Sequence, residues 1–197
     1  MSTFAVVVVG FALLVLLYSL VRYLGSAHNN LVEARERCEK AWSDVDVLLE
    51  RRAEEVGRLA DVAREHVSHE REVLEDVMEA RKRAIEAQHP EEAADAMVAL
   101  RESVENVYDL AGEYPELASS ERLDELTTSI RTIEQRLENR REQYNEAVSA
   151  YNARLNKVPE WFVASYYGFE RRTPFVASAD ARDGVNVSER LDLSADD

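Results

Sequence analysis

The stretch from Phe4 to Val21 is apolar and carries no charge, and everything after it is polar and charged. Extended to Leu24 it gives about 21 residues, or roughly 31 Å as a helix, which matches the hydrocarbon thickness of a bilayer. The first expectation is therefore a water-soluble body tethered to a membrane at its N-terminus.

Two fates are open to such a segment. Leu24-Gly25-Ser26-Ala27 places small residues where a signal peptidase would cut, and cleavage would release the body outside the cell. Against this, no Lys or Arg precedes the run, and the run exceeds the usual h-region of about 7–15 residues. An uncleaved anchor is the preferred reading. Arg22, Arg35, Arg37 and Lys40 follow the span, so the positive-inside rule places the short N-terminus outside and the body in the cytoplasm.

The 197-residue chain leaves enough beyond the tether for one domain with a real core. Only 6 Gly and 4 Pro, with 32% charged residues, is the composition of long helices or coiled coils. The net charge is −15, and the first of 39 acidic residues is Glu33. The acids are spread along the helices rather than clustered. That favours a high-salt, halophile-type surface over a site for a basic partner, and it argues against nucleic-acid binding, which needs positive charge. The single cysteine, Cys38, has no intramolecular disulfide partner and no zinc pattern around it.

Beyond a hinge expected at Gly25 to Asn30, a 3.6-residue apolar period runs from Leu31 through Val45 and Leu49, then from Val56 to Ala84. One uninterrupted helix there would be too long for a compact domain, so the reading places a break near Arg52–Gly57. Gln88-His89-Pro90 predicts a stop and restart, and Gly112 with Tyr114-Pro115 ends a further helix. From Ser119 or Ser120 a long helix to about Lys157 carries a heptad-like seam. Tyr144 and Tyr151 lie seven apart on it, with Asn145 and Asn152 beside them. Trp161, Phe162, Tyr166, Tyr167, Phe169 and Phe175 form an aromatic closing segment, read as a cap or as a second membrane-surface contact. Residues 176–197 read as a disordered acidic tail.

Candidate chemistry is sparse. His66, His69 and Glu70 share a helical spacing that would allow a metal-dependent hydrolase, but His-Val-Ser-His-Glu is neither a zincin motif nor its inversion. No nucleophile elbow or phosphate loop occurs. The expectation is no enzyme, no cofactor, and polar contacts between helices for His69 and Glu70. Trp42 is expected in a core. Asn145 and Asn152 are expected to fix helix register, and Arg51, Arg52 and Arg141 to pair with carboxylates.

Several motifs together resemble one family. Ala41-Trp42-Ser43-Asp44-Val45-Asp46-Val47, Leu49 and Arg51-Arg52 resemble the Ala-Trp-Ser-x-Ile-Asp-Val-x-Leu-x-Arg-Arg pattern of LemA proteins. Val67-Ser68-His69-Glu70, Tyr114-Pro115-Glu116-Leu117, and Arg141 with Tyr144-Asn145, Val148 and Tyr151-Asn152 follow in the family's order. Gly57 stands where the family usually has Pro, and Glu142 where it has Gln. The resemblance implies an all-α protein: an N-terminal transmembrane helix (1–25, span about 4–24) followed by an antiparallel, up-and-down four-helix bundle (26–175). It marks Trp42, Asp46, Arg52, His69, Glu70, Arg141, Tyr144, Asn145, Tyr151 and Asn152 as candidate interaction or structural-motif residues. Relatives occur beside membrane peptidases and TPM-domain proteins, and one branch belongs to magnetosome formation. The implied role is a membrane scaffold or interaction module with a membrane-associated protein partner and possible self-association. A membrane-remodelling protein is a further alternative.

Overall fold

A computed structural model describes residues 2–67 and 70–176. The described chain is helical, in the order α1 (Ser2–His66), α2 (Arg71–Glu86), α3 (Pro90–Glu113), α4 (Pro115–Ala118), α5 (Glu121–Arg154) and α6 (Glu160–Tyr167). Ser68, His69 and the expected acidic tail from Ala177 onward lie outside the described residues.

Two expectations fail on α1. It is one unbroken helix of 65 residues, about 97 Å long, with neither a hinge at Gly25–Asn30 nor a break at Arg52–Gly57. Ala27 and Leu31 are already buried, so packing begins inside the expected hinge and holds it helical. Gly57 serves close approach rather than interruption: a Cβ there would lie 2.8 Å from Arg81 Nε on α2. Its propensity cost of about 1 kcal/mol is set against burial of Val56, Leu59 and Ala60 around it. α1 ends instead at His66, and α2 begins at Arg71.

The other boundaries follow their local chemistry. Pro90 sits in the first turn of α3 with Glu91 and Glu92 at the positive dipole end. The Glu92 carboxylate reaches back to accept from Gln88 N–H at 3.1 Å. Pro115 opens the short α4, a turn the sequence reading left as an exit. Gly168 ends α6 at φ 72°, a left-handed position that disfavours any residue with a Cβ, and its N–H and that of Phe169 both bond to Ala164 O.

The described chain divides into two compact units, residues 2–41 with 146–172 and residues 42–67 and 70–145 with 173–176; α1 and α5 each contribute to both. In the second unit, α2 and α3 pack on each other across a three-residue connection. Its core joins Val56, Leu59 and Ala63 of α1 to Leu74 and Val77 of α2, Leu100 and Val107 of α3, Leu117 of α4, and Leu123 and Ile130 of α5. In the first unit, α1 buries Leu31, Ala34 and Cys38, α5 buries Val148 and Tyr151, Leu155 is buried just past its end, and α6 buries Val163 and Ala164. The heptad seam of α5 is buried at Leu123, Ile130, Ile133, Leu137, Tyr144, Val148 and Tyr151 and runs on to the buried Leu155 past the helix end, while Leu126 is half-buried and Arg140 and Val158 are exposed. The segment from Phe4 to Val21 buries nothing.

Candidate functional site

The Tyr-Asn repeats of α5 hold the segment 169–176, which has no regular secondary structure of its own. In the first unit, Tyr151 donates its hydroxyl to Glu170 O at 2.9 Å. Asn152 donates to Arg172 O at 2.8 Å and accepts from Arg172 N–H at 3.0 Å. The Arg172 guanidinium then reaches Glu39 on α1 at 2.7 Å. Burial pushes the Tyr151 hydroxyl above its ordinary value, with Arg172 opposing. Burial likewise raises the Cys38 thiol, again against Arg172. A buried, protonated thiol packs as a small apolar residue.

In the second unit the same chemistry recurs. Tyr144 donates to Thr173 O at 2.9 Å. Asn145 donates to Phe175 O at 3.0 Å and accepts from Phe175 N–H at 2.7 Å. The Phe175 ring is buried and meets Trp42 edge-on at 5.8 Å, and Trp42 also lies 5.3 Å from the Tyr144 ring. Trp42 is thus part of a packed aromatic cluster.

Both clasps obey one spacing. A step of seven on α5, from Asn145 to Asn152, answers a step of three in the terminal segment, from Phe175 to Arg172. Seven helical residues rise about 10.5 Å, and three of near-extended chain span about 10 Å. The repeat is the spacing at which a helix can hold an extended chain by every third residue.

Arg52 is among the largest fully buried side chains of the described residues. It donates to Glu134 Oε1 at 2.6 Å and to Met97 O at 3.4 Å, while its Nε is buried without a partner. Burial lowers its pKa and Glu134 holds it up. Glu55, also buried, accepts from Ser129 Oγ and from Arg58, each at 3.3 Å. Of the other candidates, Arg141 is half-buried and paired with Glu138 at 2.7 Å, and Asp46 is exposed.

The His66/His69/Glu70 face is only partly visible. His66 is exposed and donates from Nδ1 to Val62 O at 3.0 Å, on its own helix. Glu70 lies 3.5 Å from the Tyr114 hydroxyl. His69 lies outside the described residues. Among the described residues no group of three His, Cys, Asp or Glu side chains converges as metal ligands.

Sequence reasoning missed Glu134, Glu55, Arg172 and the backbone of residues 170–175. The heptad repeat of Tyr-Asn was the available signal, because amides repeated on one helix face imply a polar partner along it. It did not say which segment.

Among the described residues the fold defines an all-helical protein, with one helix long and apolar enough to cross a membrane. The chain belongs to the LemA family, whose model matches residues 41–188. It is similar to the magnetosome proteins MamQ 2 and MamQ 1 of Paramagnetospirillum magneticum, each 23% identical over 174 residues, covering 75% of this chain and 64% of theirs. The magnetosome protein MamQ of Magnetospirillum gryphiswaldense is 21% identical over 170 residues, covering 73% of this chain and 62% of its own. The chain thus spans less than two thirds of the length of these curated relatives.

Proposed function

We propose that this protein is a single-pass, membrane-anchored helical scaffold that presents a binding surface to another membrane-associated protein. The observation that carries the reading is that the polar motif residues are spent on the chain itself. Tyr144, Asn145, Tyr151 and Asn152 satisfy backbone groups, and Arg52 satisfies Glu134. Such an arrangement makes a firm body. An unbroken α1 fits a stiff tether that fixes where the body is displayed.

The finer features belong to the same proposal. The body is an antiparallel four-helix bundle in the cytoplasm, with the N-terminus outside. Its dispersed acidic surface is of the halophile type, it has no enzymatic activity, and it can self-associate. A membrane peptidase or TPM-domain protein is the partner class that the family resemblance implies.

Photo-crosslinking from exposed positions of α2 and α3 in native membranes tests the reading. The expected result is one recurrent membrane-associated adduct. Crosslinks scattered over abundant proteins, or stoichiometric metal in the purified chain that is lost in His66→Ala or Glu70→Ala, would overturn it. Orientation is read by protease protection in sealed vesicles.

A further inference from the structure

The first unit contains a cavity of about 630 Å³ between α1 and α6. This is within the roughly 300–1,000 Å³ that ligand pockets occupy. Val21, Leu24 and His28 line it from α1, and Phe162, Tyr166 and Tyr167 line it from α6. Val21 and Leu24 are the last residues of the apolar span, and both are exposed. The cavity is therefore continuous with the surface that faces lipid.

α6 itself carries the side chains of a membrane interface. At 100° per residue, Trp161, Phe162 and Tyr166 fall within about 140° of its circumference, opposite the buried Val163 and Ala164. They are 51%, 57% and 83% exposed. Large rings left in the open are costly in water, and the amphipathic Trp and Tyr are favourable at headgroup level. The C-terminal end of α6 is fastened to α1 at the matching height: the His28 ring lies 4.7 Å from Tyr167 and 5.8 Å from Phe169. His28 stands four residues past Leu24, about 6 Å along the helix. α6 is thus held beside the exit of the span.

We propose that α6 lies in the membrane interface and that this cavity takes an acyl chain of a bilayer phospholipid. The chain enters beside Val21 and Leu24, where the hydrocarbon already ends, and the rings of Phe162, Tyr166 and Tyr167 replace its lipid neighbours. The body would then be held at two points, the span and α6, and lipid composition would set its posture. This rests on α1 spanning the bilayer.

The test uses the full chain in phosphatidylcholine–phosphatidylglycerol vesicles containing lipid brominated either near the headgroup or near the chain end. Trp161 emission, assigned by difference from Trp161→Phe, should fall at least twofold with shallow bromine and little with deep bromine. A lipid bearing a photoreactive group on its acyl chain should label α6, and Leu24→Trp, which fills the cavity, should reduce that labelling several-fold. Chain that alkaline carbonate strips from the vesicles would overturn the anchor and this proposal together. Chain that stays inserted while Trp161 is unquenched, or while the photolipid labels only residues 4–21, would overturn this proposal alone.

Discussion

The side-chain amide of Asn145 completes the backbone of Phe175, accepting from its N–H at 2.7 Å and donating to its carbonyl at 3.0 Å. Phe175 is buried, so both groups need partners. A helix cannot offer its own backbone, because its N–H and C=O groups are already bonded within it. An Asn side chain carries the same donor and acceptor pair one step out from the helix surface, and it can stand in for a neighbouring strand.

Replacing Asn145 with Ala removes both bonds and strands two backbone groups. A loss of about 1–3 kcal/mol is expected, and thermal unfolding of the detergent-solubilised chain should show it as a drop of several degrees. Asn145→Asp keeps the acceptor but sets a carboxylate against Phe175 O, so it should not rescue. Unchanged melting in both variants would mean that the clasp contributes nothing.

Arg52 and Glu134 form a pair with one partner fully buried. Glu134→Leu leaves the buried guanidinium uncompensated and should cost about 3–5 kcal/mol, whereas the double variant Arg52→Met/Glu134→Leu should recover most of the loss. Denaturant midpoints for the four corners of the cycle decide it. Additive losses would show that the two side chains do not act as a pair.

Gly57 lies under the Arg81 side chain. Gly57→Ala gains about 1 kcal/mol of helix propensity but pushes a methyl group against Arg81 Nε and Cδ, so alone it should be close to neutral. In an Arg81→Ala background the same substitution should stabilise by about 1 kcal/mol. Equal effects in the two backgrounds would remove close approach as the reason for the glycine.

Tyr151 supplies a pH dependence whose sign can be worked out. Its folded pKa is raised above the ordinary value of 10.0, chiefly by burial. Its contribution is then fully present below about pH 10 and is lost as pH rises through the folded value, when the ionised oxygen can no longer donate to Glu170 O. The stability difference between the natural chain and Tyr151→Phe should be constant from about pH 7 to 9 and shrink above pH 10. Urea titrations at each pH read this out, and a gap that widens with pH would contradict it.

Much of the fold was legible locally. Pro90 marks a helix start because a residue without an N–H is tolerated there, whereas Pro115, read as a helix exit, also opens the short α4. The seam of α5 was readable because apolar spacing reports which face is buried. Gly57 misled because propensity describes a helix alone, while here the neighbouring Arg81 determines why a glycine stands at that position. Of the candidate site, the Tyr-Asn residues stood out but their partners did not. Those partners lie 19 to 30 residues away in sequence and are backbone atoms, which no side-chain pattern announces.

The sequence by itself determined that this protein is helical, that its first stretch can cross a bilayer, and that α5 repeats every seven residues. These are properties of spacing and composition, set by the geometry of a helix. Only the tertiary structure decided that α1 continues without a break, that Glu134 answers Arg52, and that the repeat exists to hold the segment 169–176. Those outcomes depend on which buried polar groups find one another, and that is settled by packing between distant segments.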